Sequence, residues 1–155
     1  MIGKVEHGTF TIEREYSATP EQVFAAWSDP AAKARWFKGP GDWVKTPHSL
    51  DFRVGGEERV AGGPKDGPCH AYRARYEDIV PNRRIIYSYD MHLDDKRISV
   101  SLATVEFFAS AKGTKLIFTE QDAFLAGSDG IVWRKEGTQL LLDNLGAELG
   151  ERGSA

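Results

Sequence analysis

The histidine and cysteine residues are the first candidates for chemistry, and their spacing argues against a metal site. His7, His48, His70 and His92 lie in separate segments, without the short spacing that metal ligands need. Cys69 directly precedes His70, so a regular strand would point the two side chains to opposite faces. We therefore expect no bound metal.

Other catalytic arrangements are also missing from the sequence. No serine lies in a nucleophile-elbow motif, and the glycine pairs lack the following Lys-Ser or helix start of a phosphate cradle. His92 near Asp90 is the best remaining acid–base pair, but strand alternation turns both away from the face that carries Tyr87, Tyr89 and Met91. The sequence therefore predicts no catalytic residue and no cofactor.

Glu120 is the carboxylate best placed for a role inside the protein. Strand alternation puts it on one face with Leu116 and Phe118. If that face is concave, the carboxylate must pair with a cation or become neutral through a raised pKa. Glu120 could then orient a ligand or transfer a proton. We prefer an ion pair, because structural ion pairs also perturb acids. The candidate partners are Arg53, Arg73 and Arg84.

Aromatic residues are numerous enough to line a pocket for an apolar molecule, with tyrosine hydroxyls as polar tips. The candidates are Trp27, Trp36, Phe37, Phe52, Tyr72, Tyr76, Tyr87, Tyr89, Phe107 and Phe118. Each one alone could be ordinary core, but the set as a whole predicts several pocket walls. The glycine-rich loop of residues 36–43 is either a lid over the cavity mouth or a surface loop with a packed aromatic.

The element that must face these strands is a long C-terminal helix, predicted over residues 131–149. At about 100° per residue, one stripe of this helix is interrupted but largely apolar. It carries Trp133, Gly137, Leu140, Leu141, Asn144 and Glu148, with Leu145 at its edge. Glycine costs a helix about 1 kcal/mol relative to alanine, so Gly137 indicates space for either a ligand or a bulky strand residue. Asn144, if buried, needs a strand side chain, water or a ligand as partner.

The remaining elements form a meander with helices only near its ends. Residues 9–16 alternate as a strand, and capping signals start short helices that end near residues 28 and 37. Strands are predicted over residues 49–54, 57–61, 71–80, 84–91, 98–108 and 115–121. The sequence thus predicts an α+β fold in which about six to seven antiparallel strands curl around the last helix.

Bulk properties limit the partners and the location. The 155 residues fit one domain, spanning 1–155 with a core at about 9–149. With 20 basic and 23 acidic residues scattered along the chain, we expect no nucleic-acid partner. The opening residues lack a signal-peptide core, and no window approaches the roughly 20 apolar residues of a membrane span. A single cysteine suits a reducing compartment, so we expect a cytoplasmic protein without a membrane partner.

At this point several strings, taken in order, resemble the START-like or SRPBCC superfamily, and within it the heat-shock protein 90 ATPase activator-like branch. The strings are Pro20 to Trp27 with Asp29-Pro30, Arg35-Trp36-Phe37, Leu50 to Gly56, Asp78 to Pro81, Thr119-Glu120-Gln121 and Glu136-Gly137-Thr138. The resemblance implies the helix-grip fold and a cavity between the sheet and the long helix. It implies less about chemistry, because members include lipid carriers, hormone receptors, cyclases and chaperone activators.

Binding of a small hydrophobic or aromatic molecule in this cavity, without chemistry, is the leading interpretation. The second is a cyclase or dehydratase type of enzyme, in which Glu120 or Tyr76 moves a proton inside the same cavity. The third is a chaperone-associated regulatory module that acts through an exposed patch, as the branch name suggests. The sequence does not decide the ligand, the openness of the cavity or the choice between monomer and homodimer.

Overall fold

The computed structural model describes residues 3–125 and 130–153 and contains one curved antiparallel sheet with three helices. The strands are β1 (Glu6–Tyr16), β2 (Val44–Lys45), β3 (Ser49–Leu50), β4 (Glu57–Gly63), β5 (His70–Val80), β6 (Arg84–Leu93), β7 (Lys96–Ala109) and β8 (Thr114–Phe124). The helices are α1 (Pro20–Ser28), α2 (Pro30–Trp36) and α3 (Ile131–Gly153). The predicted α+β architecture with a long C-terminal helix is confirmed, although the sheet has eight strands rather than six to seven.

The strand order is β1-β8-β7-β6-β5-β4-β2, with β3 also paired to β4. The meander from β4 to β8 follows chain order, and β1 joins it antiparallel to β8, with Phe10 opposite Glu120. The first and last strands in chain order therefore lie side by side at one edge of the sheet. No helix in the described ranges is long and apolar enough to cross a membrane.

The start of α1 follows the sequence signal. The Thr19 hydroxyl accepts a hydrogen bond from the Gln22 backbone N–H at 3.2 Å, and the Gln22 side chain accepts one from the Thr19 N–H at 2.9 Å. These two bonds form a capping box, which satisfies amide groups that the first helical turn leaves without partners.

The predicted strand over residues 49–54 is wrong after Leu50. The chain turns instead, because the Arg53 N–H donates to the Asp51 carbonyl and the Gly56 N–H donates to the Arg53 carbonyl. Gly55 takes a φ of 86°, and a Cβ atom on Gly56 would lie 2.1 Å from the Asp51 oxygen. The glycine pair thus makes a tight turn earlier than the strand pattern indicates.

The predicted sheet-facing stripe of α3 is also wrong, by about one residue, or 100° of helical rotation. The buried line runs through Thr138, Leu142, Leu145 and Leu149, whereas Trp133 is 65% exposed. The C-terminal half of α3 sets this rotation, because its leucines join the apolar core between α1, α2 and the sheet. The Tyr16 hydroxyl adds a 2.9 Å bond from β1 to the Leu142 carbonyl.

Candidate functional site

A partly open cavity of about 700 Å³ lies between the N-terminal half of α3, the segment after α2 and the concave face of the sheet. Its walls come from helices and strands along most of the sequence, so the cavity forms only when the sheet and α3 have come together. Most of the residues predicted from the sequence to bind a ligand line this cavity. They are Trp27, Trp36, Phe37, Tyr72, Tyr87, Tyr89, Phe118, Glu120, Trp133, Gly137, Leu140 and Leu141.

Three aromatic residues predicted for the site lie elsewhere, in the core beneath α1. Phe52 and Phe107 each pack edge-on against Phe24, with ring centroids 5.7 and 5.6 Å apart. Tyr76 packs against Phe52 at 4.9 Å and donates its hydroxyl hydrogen to Glu58 at 2.7 Å. These residues are absent from the cavity wall, because the short helices cover this end of the concave face.

Asn144 is the fourth predicted residue outside the cavity wall. Its side-chain Nδ2 donates to the backbone carbonyls of Trp36, at 3.2 Å, and Lys38, at 3.4 Å. The partner is therefore backbone, rather than the strand side chain, water or ligand considered from the sequence. Asn144 holds the beginning of the cavity-rim loop against α3.

The loop of residues 36–43 runs along the cavity, which residues 36–41 and Trp43 help to line. The Trp43 ring stacks on His70 with centroids 4.8 Å apart, and it packs so closely on Gly39 that a Cβ there would lie 2.2 Å from the ring. Both alternatives from the sequence, a lid and a packed surface loop, fit this position.

Gly137 faces open space. A Cβ atom built there would meet nothing within 4 Å, and Gly137 lies on the cavity wall with its neighbours Trp133 and Leu141. Of the two explanations offered for this glycine, space for a bulky strand residue is therefore wrong. The helix rotation that exposes Trp133 places the predicted stripe over the cavity mouth rather than on the core.

Glu120 lies inside, as strand alternation predicts, but its cationic partner is Arg134. The Tyr89 hydroxyl donates to Glu120 Oε2 at 2.8 Å, and Arg134 Nη1 lies 3.5 Å from the same oxygen. The arginines proposed from the sequence have other partners, so that proposal is wrong. Arg53 pairs with Asp51, Arg73 with Asp90 and Arg84 with Asp78.

Arg134 connects α3 to three strands through its guanidinium group. Nη1 donates to the Tyr89 hydroxyl at 2.9 Å and to the Ser101 hydroxyl at 3.1 Å, and Nη2 donates to the Ser99 hydroxyl at 2.5 Å. Asp122 Oδ1 lies 3.5 Å from Nη1 and accepts the Ser101 hydroxyl at 2.5 Å. These five residues and Glu120 form the inner polar cluster of the cavity.

The charge state of the inner polar cluster follows from burial. Burial raises the pKa of Glu120 well above its usual range, and hydrogen bonding and repulsion from Asp122 add to this, while Arg134 acts in the opposite direction. Asp122 Oδ2 is buried and has no hydrogen-bond partner among the described residues. The hydrogen bond between the two carboxyl groups favours the protonated form of Glu120. Glu120 can therefore act as a neutral acid beside the cavity.

A second polar cluster lies behind the aromatic wall and was missed from the sequence. The Lys33 ammonium is fully buried and lies 2.9 Å from Glu58 Oε1, while His48 Nε2 lies 2.6 Å from Glu58 Oε2. Four rings surround the ammonium with their centroids at 4.5 to 5.9 Å. The rings belong to Trp27, Trp36, Phe37 and Tyr87.

The two ions of this second cluster stabilise each other. Burial alone would raise the pKa of Glu58, but the Lys33 charge and hydrogen bonds from His48, Lys33 and Tyr76 lower it to about 2. Burial lowers the pKa of Lys33, and the Glu58 carboxylate opposes this effect. The pair thus places a fixed dipole beneath the cavity wall, and the rings separate it from the cavity.

The family of this protein is identified by its similarity to known proteins. A model of the family described as activator of Hsp90 ATPase homolog 1-like protein matches residues 17–150. The chain belongs to this family. No protein with a curated description matches the chain.

Two solved structures of bacterial proteins are similar in sequence as well as fold to this member of the Hsp90 ATPase activator-like family. An uncharacterized protein from Rhizobium leguminosarum is 49% identical, with a TM-score of 0.91 and coverage of 96% of this chain and 97% of that chain. The Mll3558 protein from Rhizobium loti is 44% identical, with a TM-score of 0.86 and coverage of 95% and 100%. A protein of unknown function from Staphylococcus aureus, SA2116, is 18% identical at a TM-score of 0.79 and shows the fold alone.

In this family member, the arrangement of cavity walls and Glu120 is suited to hold an apolar molecule, to orient it and to give it a proton. The described residues offer few groups for metal-dependent or nucleophilic chemistry. No group of three or more His, Cys, Asp or Glu side chains in residues 3–125 and 130–153 could hold a metal ion. Among the described residues on the cavity wall, Glu120 is the carboxyl group whose pKa is raised. The site can therefore hold an apolar molecule against one neutral acid.

Proposed function

We propose that this protein binds a small, largely apolar aromatic molecule in the cavity between α3 and the sheet. The observation that carries the proposal is a cavity of about 700 Å³ whose walls are mainly aromatic and aliphatic side chains. Ligand sites in proteins span roughly 300 to 1,000 Å³ and combine apolar walls with a few polar groups. The cavity matches this description in size and composition.

The cavity rim gives a driving force for binding. Trp133 and Val44 are 65% and 61% exposed, although both are large and apolar, and both line the cavity. A ligand that covers such surface gains about 2.5 kcal/mol for each 100 Å² of apolar area removed from water. Gly137, one helical turn after Trp133, also lines the cavity, and a Cβ atom there would meet nothing within 4 Å.

A second candidate function is an enzyme of the cyclase or dehydratase type, and one observation favours it. Glu120 lies on the cavity wall with a raised pKa, as a general acid requires. The same observation fits a residue that only orients a ligand. The chaperone-associated alternative rests on the family description alone.

The test of the binding proposal is a fluorescence titration with the apolar probe N-phenyl-1-naphthylamine, on the wild type and on two matched variants. Gly137→Leu adds a side chain on the cavity wall, and Gly150→Leu makes the same change on α3 away from the cavity, where a Cβ also meets nothing within 4 Å. Both changes favour the helix.

We expect saturable probe binding by the wild type, an affinity at least about tenfold lower in Gly137→Leu, and wild-type affinity in Gly150→Leu. Equal affinities in the two variants would place the probe outside the cavity. Absence of saturable binding by the wild type would contradict the proposed function itself.

A further inference from the structure

We propose that the cavity selects uncharged ligands, because Glu120, Asp122 and Arg134 hold one shared proton that keeps the inner polar cluster electrically neutral. This inference rests on the proposed function, since it names the class of molecule that the same cavity accepts. It also assigns Glu120 as the residue that determines charge selectivity. Arg134, although it lines the cavity, is then not a binding site for an anionic ligand.

The first step is the charge balance of the cluster. Arg134 contributes one positive charge, and Glu120 and Asp122 would contribute two negative charges if both were ionised. Both carboxyl side chains are at most 1% exposed, so an uncompensated negative charge would lack solvation. One proton on the pair brings the cluster to zero net charge.

The second step assigns the proton to Glu120. Asp122 Oδ1 accepts the Ser101 hydroxyl at 2.5 Å, while Asp122 Oδ2 is buried without a hydrogen-bond partner among the described residues and can accept from a protonated Glu120. Glu120 sits between apolar neighbours on the adjacent strands, Phe10 on β1 and Ala103 on β7. Burial and the Asp122 charge raise the pKa of Glu120, which agrees with this assignment.

The third step is the direction of the hydrogen bonds. The Tyr89 oxygen accepts from Arg134, so its own hydrogen is free to reach Glu120 Oε2. The carboxylic proton then belongs on Oε1, where it can satisfy the partnerless Asp122 Oδ2. The titratable groups that act on Glu120 are Tyr87 and Tyr89 on β6, Asp122 on β8 and Arg134 on α3.

The fourth step concerns ligands. The Arg134 guanidinium has five oxygen atoms at 2.5 to 3.5 Å and is balanced by Asp122, so an anionic ligand would have to compete with these groups. A cationic ligand would find no free negative charge until Glu120 loses its proton. The other charged groups on the wall have solvent or backbone partners. Lys38 and Glu136 are exposed, and the Lys45 ammonium donates to the Ala34 carbonyl.

The test is isothermal titration calorimetry with three ligands that share a naphthalene ring: methyl 2-naphthoate, the 2-naphthoate anion and the trimethyl-2-naphthylammonium cation. At neutral pH we expect the wild type to bind the ester at least about tenfold tighter than either ion. As the pH rises and Glu120 ionises, affinity for the cation should increase and affinity for the anion should fall.

Three variants connect this behaviour to the shared proton. Glu120→Gln cannot ionise, so the rise in cation affinity at alkaline pH should disappear. Glu13→Gln makes the same change on the exposed side of β1 and should keep the wild-type pH profile. Glu120→Gln combined with Asp122→Asn leaves Arg134 without a counter-charge, and this double variant should bind the anion more tightly than the ester.

The outcomes separate the two proposals. The proposal of a shared proton would be overturned if the wild type bound the anion most tightly, or if it bound the cation most tightly already at neutral pH. A rise in cation affinity that persists in Glu120→Gln would overturn the role of Glu120, even if the double variant does not fold. Failure of the wild type to bind any of the three ligands, or the fluorescent probe, would instead contradict the proposed function.

Discussion

Replacing Glu58 by glutamine should destabilise the protein by about 3 to 5 kcal/mol at neutral pH, because it removes one ion of a fully buried pair. The Lys33 ammonium would lose its counter-charge and keep only neutral partners: the amide oxygen of the new glutamine, the Tyr76 hydroxyl at 3.4 Å and the faces of its surrounding rings. The alternative is to lose its proton. At pH 7 this costs about 5 kcal/mol for a lysine whose ordinary pKa is 10.5, at 1.36 kcal/mol per pH unit.

The pH dependence of this loss has a definite sign. If Lys33 is neutral in the folded variant but protonated in the unfolded chain, unfolding takes up one proton. Raising the pH makes this uptake less favourable, so the free energy of unfolding of the variant increases. The stability difference between wild type and Glu58→Gln should therefore shrink by roughly 1.4 kcal/mol per pH unit towards the ordinary lysine pKa. Urea denaturation at several pH values, followed by far-ultraviolet circular dichroism, measures it.

Three further variants complete the test: Lys33→Met alone, Lys33→Met combined with Glu58→Gln, and the control Glu57→Gln. Lys33→Met combined with Glu58→Gln should cost less than the sum of the two single changes, because neither variant residue carries a charge. Glu57→Gln, on the exposed neighbour that pairs with Arg59 at 2.9 Å, should change stability little. Additive costs in the double variant, or a small and pH-independent loss in Glu58→Gln, would refute the account of this pair.

Three other changes follow from the same structure. Trp133→Ala should lower the free energy of unfolding by less than about 1 kcal/mol, because Trp133 is 65% exposed, and it should weaken binding of the fluorescent probe. A loss of stability near 3 kcal/mol in urea denaturation would instead indicate that Trp133 belongs to the core. Tyr16→Phe should cost about 1 kcal/mol through the buried bond to the Leu142 carbonyl, and an unchanged denaturation midpoint would count against that bond. The folded-state pKa of Glu120 is raised, so wild-type stability should fall as the pH rises above the ordinary value of 4.5, and Glu120→Gln should become the more stable protein in thermal denaturation. Parallel stability curves for the two proteins would contradict this.

The fold could be predicted because its signals are local. The alternation in β1 and the capping box at Thr19 each depend on a few neighbouring residues, and the structure confirms the strand and the helix start that they predict. The strand over residues 49–54 could not be predicted correctly, since backbone hydrogen bonds around Gly55 and Gly56 override the alternation.

The candidate site was harder to predict because it depends on helix rotation. The stripe of α3 identified from helical periodicity faces the cavity in the structure. The face that packs on the core is determined by the packing of Leu145 and Leu149 against the other elements, which periodicity does not show. Arg134 follows Trp133 directly in the sequence. When the inward-facing side of α3 is assigned one residue too early, Arg134 is not recognised as the partner of Glu120.

The Lys33 cluster was missed for a related reason. A charged residue on a short helix is usually exposed, and only its spacing to Trp36 and Phe37, three and four residues on, indicates the shared face. Glu58 shares the inner face of β4 with Val60, but nothing local shows that its partner lies on α2.

A crystal structure with methyl 2-naphthoate at saturating concentration shows directly whether the cavity under α3 holds a small uncharged aromatic molecule. We expect the naphthalene ring inside the cavity, in contact with Tyr87, Tyr89 and Leu141, and the ester group away from the ion pairs of the inner polar cluster. A cavity that stays filled by solvent at saturation, or a ligand found only on the outer face of the sheet, would contradict it.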